Sequence, residues 1–199
     1  MNDVIVERLQ PGDLSETTTV LSHAFLTQPN IIAIWQKQDE STRRDIETVF
    51  RIAKLDRPFA TALVAKQNGR IVGALNMTEW PHCHLSFRDN LRLTPLMIRR
   101  PVGLVLRSMQ LQSAFGKHDP QKQHWHLGPV GVLPQLQGQA IGSRMLEKCC
   151  GIIDGKKDAA YLETDRPQNV PFYERFGFAV VGEEEILGVL NWFMWRSPR

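Results

Sequence analysis

The chain has 199 residues, of which 42% are hydrophobic and 23% charged, and its formal net charge is +3. That length suits one domain with its own core, or one domain with an insertion, and the composition excludes disordered, collagen-like and disulfide-framework classes. Cys83, Cys149 and Cys150 are odd in number and two are adjacent, which gives neither a pairing framework nor a zinc spacing and predicts reduced thiols. No leader-like start and no apolar run near ~18 residues is present, so a soluble, cytoplasmic protein is expected.

Val4 to Leu9 alternates as a short first strand. Pro11-Gly12-Asp13 breaks it, and Asp13 is predicted to cap a helix running to about Leu26. Ile31 to Lys37 is apolar and ambiguous, whereas Ser41 to Leu55 carries a helical stripe through Ile46, Val49, Phe50 and Ala53. Thr61 to Lys66 and Arg70 to Thr78 read as strands, because Asn68-Gly69 between them is a hairpin turn. Arg88 to Lys117 reads as helical, interrupted near Pro95 and Pro101. His124 to Val132 is a predicted strand, with Pro129 marking a bulge or an edge. Gly138 to about Asp154 is a predicted helix, Ala159 to Thr164 a strand, and Val170 to Phe176 a short helix stopped at Gly177. Phe178 to Val181 and Val189 to Arg196 close the chain as strands around a turn near Gly188. The order is mixed α/β in a single domain.

The stretch from Val130, Gly131 and Val132 to Gln137, Gly138, Gln139, Ala140, Ile141, Gly142 and Ser143 is a strand, a turn and a helix that opens on small residues. Small residues let a ligand approach the backbone, and the free N–H groups and positive dipole end of a helix attract an anion. There is no G-x-x-x-x-G-K-[S/T] and no G-x-G-x-x-G, which argues against a triphosphate P-loop and a dinucleotide fold. An ordinary glycine-containing turn would look similar on this stretch alone.

Gln137-x-x-Ala140-x-Gly142 resembles the acyl-CoA pyrophosphate loop of GNAT acetyltransferases. The later block Leu162-Glu163-Thr164, then Asn169-Val-Pro-Phe-Tyr173-Glu-Arg-Phe-Gly177-Phe178, resembles that family's next strand and short helix. These blocks, with Trp125 and the closing Trp-x-Met, look closest to the puromycin N-acetyltransferase-like branch. The resemblance implies a mixed, mostly antiparallel sheet with a splayed central strand pair flanked by helices. It implies acetyl-CoA as cosubstrate, no metal, and a primary amine as acceptor, more plausibly of a small molecule than of a protein or peptide. It also implies coenzyme contacts from Val130 through Ser143 and from Asn169, with Val130 N–H as oxyanion donor and Tyr173 as general acid. Three departures stand out: Ala140 replaces a glycine, Arg166 stands where the family often has asparagine, and Pro129 interrupts the central strand.

A phenol of pKa ~10 keeps its proton at neutral pH and can donate to a thiolate whose conjugate acid is near ~8.5. The base is less defined. The family's central-strand glutamate aligns with Gly128, which leaves Glu79, one of His82, His84, His124 and His126, or a water chain. Glu163 reads as structural. Arg88, Arg92, Arg99, Arg100, Arg107 and Lys117 face only Asp89 in sequence. That pattern fits a helical insertion, 88–118, over the acceptor side better than a membrane-surface or nucleic-acid segment. Monomer and homodimer both remain open, and a non-catalytic acyl-CoA-binding module is the alternative function.

Overall fold

A computed structural model describes residues 4–199. Seven strands form one open sheet in the order β1-β2-β3-β4-β5-β7-β6. They are β1 (Val4–Arg8), β2 (Ala60–Gln67), β3 (Arg70–Glu79), β4 (Trp125–Val132), β5 (Ala160–Thr164), β6 (Ala179–Ile186) and β7 (Val189–Arg196). Only β4 and β5 pair in parallel; every other neighbour is antiparallel. The seven α-helices are α1 (Leu14–Phe25), α2 (Pro29–Trp35), α3 (Glu40–Phe50), α4 (Phe87–Ile98), α5 (Val102–His118), α6 (Ile141–Asp154) and α7 (Asn169–Glu174). This is the expected α/β fold.

Alternation along β2 shows how the sheet is covered. Leu63 and Ala65 pack with Ile141, Met145, Leu146 and Cys149 of α6. Ala62 and Val64 pack on the other face with Val20 and Leu21 of α1 and Ile46 and Phe50 of α3. A strand buried on both faces reads as a continuous apolar run, as Ala62 to Ala65 does. Farther along, α5 closes the α1 side over Tyr161, Ile186 and Phe193 through Leu111, Ala114 and Phe115. Among the described residues no helix is long and apolar enough to cross a membrane.

Both hairpins form where expected. Asn68 and Gly69 have φ of 52° and 76°, and Leu187 and Gly188 have 56° and 78°, the sign that two-residue hairpin turns need at both positions. Local chemistry departs from the sequence reading at four places. Ile31 to Lys37 resolves into α2, introduced by Pro29. Asp13 occupies the cap position of α1 but makes no cap bond; its carboxylate accepts from Lys66 Nζ at 2.8 Å. The stripe from Ser41 does not stay α-helical, because Arg51–Leu55 winds as a π-turn. Pro95 sits inside α4 without ending it. A proline removes the bond to the carbonyl four residues back, and here that residue, Leu91, is exposed and water can serve its carbonyl.

The ends of α6 and β7 are tied by Arg196, 1% exposed, which donates to Asp154 Oδ1 at 2.7 Å and Oδ2 at 2.8 Å and from Nε to Phe176 O at 2.8 Å. The guanidinium holds the Asp154 carboxyl below the usual carboxylate range. A group with a lowered folded pKa stabilises fully above its unfolded value, near ~3.9, and loses that contribution as pH falls through the folded one. Asp154→Ala leaves the buried guanidinium unpaired and is expected to cost about 3 kcal/mol in urea unfolding at pH 7. The deficit should shrink below pH ~3; a loss under about 0.5 kcal/mol would show the pair to be unimportant.

Candidate active site

The central strand changes phase at one place. Met77 pairs with Leu127 and Leu75 with Val130, so β4 carries one residue more than β3 between those pairs. The extra residue falls at Gly128-Pro129, a bulge of the kind that a residue without an N–H allows. Below it, Trp125 and Leu127 face α6; above it, Val130 and Val132 do. Gly131 then turns toward α1, where an added Cβ would lie 3.0 Å from both Leu21 Cδ2 and Ala24 Cβ. Any larger residue would push Leu21 and Ala24 back.

Beyond the bulge, β4 and β5 separate. Their pairing ends at Leu127 with Leu162, although β4 stays paired with β3 to Val132. Leu133 N–H donates to Val72 O at 2.9 Å on the β3 side. Strand alternation therefore sends Gly131 N–H the same way and leaves those of Val130 and Val132 facing the gap.

The gap opens into a cleft of about 410 Å³. Its floor is Val130 to Val132, and one wall is the start of α6, where Gly138, Ala140, Ile141, Gly142 and Ser143 line the space. Ala140 is left-handed, φ 59°, and serves as the N-cap, so α6 begins at Ile141, later than the sequence suggests. The first-turn N–H groups lack intrahelical acceptors and point into the cleft with the positive dipole end. Gln137 lines the cleft too, yet its side-chain amide donates back to Val132 O at 3.1 Å and closes the turn. Gln139 is not a lining residue.

The opposite wall comes from α7. Asn169, Phe172 and Tyr173 line the cleft with Arg166 and Arg175. Asn169 does not cap α7: Gln168 holds that position, and Asn169 Nδ2 donates to Thr164 Oγ1 at 3.1 Å. Gly177, φ 88°, follows the helix in the left-handed region as expected. Tyr173 is 7% exposed, packed between Phe172 and Phe178 with ring centroids at 5.3 and 6.0 Å. Its hydroxyl has no hydrogen-bond partner among the described residues, and burial first, then Asp165 and Cys149, push its pKa above the usual tyrosine range.

The candidate bases scatter. Glu79 pairs across the sheet with Trp125, four residues along β3 from the partner of Val130, or about 13 Å. It lies 3.7 Å from Lys156 Nζ and outside the cleft lining. His82 stacks on Phe59 at 3.5 Å. His84, His124 and His126 gather instead around Asp119. Glu163, read as structural, accepts from His126 Nε2 at 2.9 Å.

Sequence reasoning passed over two charged groups. Arg175 faces the cleft and sits over the Phe172 ring at 5.3 Å. Asp165 accepts from Asn30 N–H at 2.8 Å, and burial raises its carboxyl pKa. Both lie in the stretch that bears the family resemblance, but nothing in their spacing marks them.

A family model described as the acetyltransferase (GNAT) family matches residues 26–178. Similar solved structures include a Corynebacterium glutamicum protein titled as a histone acetyltransferase and related acetyltransferase. It is 20% identical at TM-score 0.73, covering 98% of this chain and 97% of that one. A GNAT family acetyltransferase from Brucella melitensis in complex with acetyl-CoA is 18% identical at TM-score 0.56, covering 99% and 89%. The Drosophila melanogaster polyamine N-acetyltransferase, which forms N-acetylagmatine, is 15% identical at TM-score 0.65, covering 97% and 98%.

Proposed function

The chain belongs to the GNAT acetyltransferase family, and from that premise we propose that it transfers acetyl from acetyl-CoA to the primary amine of a small molecule. The observation that carries the reading is the cleft between the separating strands, which joins free backbone N–H groups, the start of α6 and an unpartnered tyrosine hydroxyl. The coenzyme diphosphate would rest on the first turn of α6, with Arg175 and Arg166 as nearby cations. Pantetheine would lie along Val130 to Val132, and Val130 N–H would meet the developing oxyanion, the usual task of a fixed backbone donor. Tyr173 would give its proton to the departing thiolate.

On the acceptor side, Asp165 follows β5, accepts from Asn30 N–H at 2.8 Å and adjoins Arg166 of the cleft wall without lining the cleft itself, and we assign it to hold the incoming ammonium and receive its proton. Glu79, salt-bridged to Lys156 and likewise outside the lining, stands about 13 Å along β3 from the residue opposite Val130. Segment 88–118, as α4 and α5, is proposed to roof the acceptor side, since α5 packs on α2 and over β5 to β7. The relatives named for polyamine and N-acetylagmatine chemistry, and the resemblance to the puromycin N-acetyltransferase-like branch, support a small acceptor.

A panel of small amines and amino-terminal peptides, read by free CoA release, tests the reading. Small amines should turn over. Asp165→Asn should raise the amine KM about tenfold and leave that of acetyl-CoA unchanged. Tight acetyl-CoA binding with no turnover on any amine would favour a non-catalytic binder; turnover of peptides alone would overturn the small-molecule assignment.

A further inference from the structure

On the sheet face opposite α6, four donor atoms converge from three separate segments. Cys83 lies in the turn after β3, Asp119 ends α5, and His124 and His126 open β4. Their ligating atoms all lie within 4.8 Å of one another. Cys83 Sγ lies 3.7 Å from His124 Nε2, His124 Nε2 lies 3.0 Å from Asp119 Oδ1, and His126 Nδ1 lies 4.0 Å from the other carboxylate oxygen, Asp119 Oδ2. Tetrahedral zinc with bonds of 2.0–2.3 Å has ligand–ligand edges of about 3.3–3.7 Å. We propose that Cys83, Asp119, His124 and His126 form a four-coordinate site for one divalent transition metal, with Zn²⁺ the best match.

The ring orientations carry the argument. His124 Nδ1 lies 2.7 Å from Lys122 O. A carbonyl can only accept, so Nδ1 holds a hydrogen and Nε2 is the nitrogen left to ligate a metal. His126 Nε2 lies 2.9 Å from Glu163 Oε2, so Nδ1 is the bare nitrogen there, and it is buried with no hydrogen-bond partner. Both imidazoles thus donate outward, one to a backbone carbonyl and one to a carboxylate, and turn their other nitrogens toward Cys83 and Asp119. Metal-bound histidines are oriented this way.

Asp119 points the same way. It is 3% exposed, and its oxygens come within 3.0 Å of His124 Nε2 and 2.7 Å of His84 Nε2. Both contacts are at ion-pair distance, yet neither oxygen receives a well-directed hydrogen bond. A buried carboxylate held only by poorly directed imidazole contacts is costly, and a cation at the shared focus lowers that cost.

The thiol is held in place as well. Arg57 Nη2 donates to His82 O at 2.9 Å and His84 O at 2.6 Å, on either side of Cys83. Burial first, then Asp119, push the thiol up to about 12, with Lys54, Arg57 and Glu163 the other charges facing it. On metal uptake the S–H proton leaves to solvent, and thiolate plus carboxylate balance the two positive charges. Four protein ligands leave no open position, the mark of a structural site. It would brace the turn after β3, the end of α5 and the start of β4, apart from the coenzyme cleft.

The test is metal binding by the whole protein, stripped with chelator and titrated with Zn²⁺ and Co²⁺. One equivalent of Zn²⁺ is expected by mass spectrometry of the metal content. Co²⁺ should give tetrahedral d–d absorption with a thiolate charge-transfer band. Cys83→Ser should lose that band, and Glu163→Gln, which frees the His126 ring, should weaken Zn²⁺ roughly 10- to 100-fold. Circular dichroism of each variant shows that it is folded. No tight equivalent in folded wild type, or a Co²⁺ spectrum untouched by Cys83→Ser, would overturn the site.

Discussion

Tyr173→Phe is expected to lower kcat by about 10²–10⁴, the usual worth of a placed general acid, with acetyl-CoA affinity nearly unchanged. The ring is packed between Phe172 and Phe178, so the phenylalanine keeps its position and only the hydroxyl is lost. That hydroxyl has no partner among the described residues, so its removal leaves none of their polar groups unsatisfied. A loss in kcat without a loss in binding marks an interaction made in the transition state. Since burial raises its pKa, the phenol should stay protonated through pH ~10, and wild-type activity should show no alkaline fall below that. An acyl donor with a better leaving group should recover part of the loss. Wild-type turnover by the phenylalanine variant, with chemistry shown to be rate-limiting, would remove Tyr173 from the mechanism.

Gly142→Asp is expected to weaken acetyl-CoA by about 100-fold. An added Cβ meets only Phe172 Cζ, at 3.5 Å, an ordinary contact, so the side chain fits. An acidic residue in the first turn of a helix is itself mildly favourable, so α6 and the melting temperature should survive. The carboxylate, however, occupies the ground assigned to the diphosphate. Two like charges near ~4 Å repel by about 4 kcal/mol at an effective dielectric of ~20, and salt returns part of that. Calorimetry with acetyl-CoA and with a pantetheine fragment lacking the nucleotide separates the causes, since only the former should suffer. Equal losses for both would place the diphosphate elsewhere.

What could be read from the chain alone followed how local the determinant is. The Asn68-Gly69 turn was legible because a positive φ demands particular residues in sequence, and α6 was legible as a helix although it starts at Ile141 rather than Gly138. Tyr173 was legible through its neighbours, Asn169 to Phe178. The partners of Asp119 were not: Cys83, His84, His124 and His126 meet only once α5 and β3 are laid against β4. The same holds for Asp165, whose environment comes from Asn30 on α2. Gln137 has a second task that its motif position does not show, since it lines the cleft and also closes the turn through its amide on Val132 O. Pro95 misleads because a helix break is avoidable where water reaches the orphaned carbonyl.

The sequence Trp-His-Leu-Gly-Pro-Val-Gly-Val looks like alternation that fails in the middle. It is two intact half-patterns of opposite parity, odd positions inward before Gly128-Pro129 and even positions inward after. One strand therefore serves two masters: its first half presents histidines to Asp119, and its second presents amides to the cleft. Losing a single residue at the seam would change neither composition nor hydrophobicity appreciably. It would merge the two halves into one unbroken alternation, valines still on α6 and Gly131 still against α1, and what would vanish is the bulge, and with it the kink where β4 parts from β5.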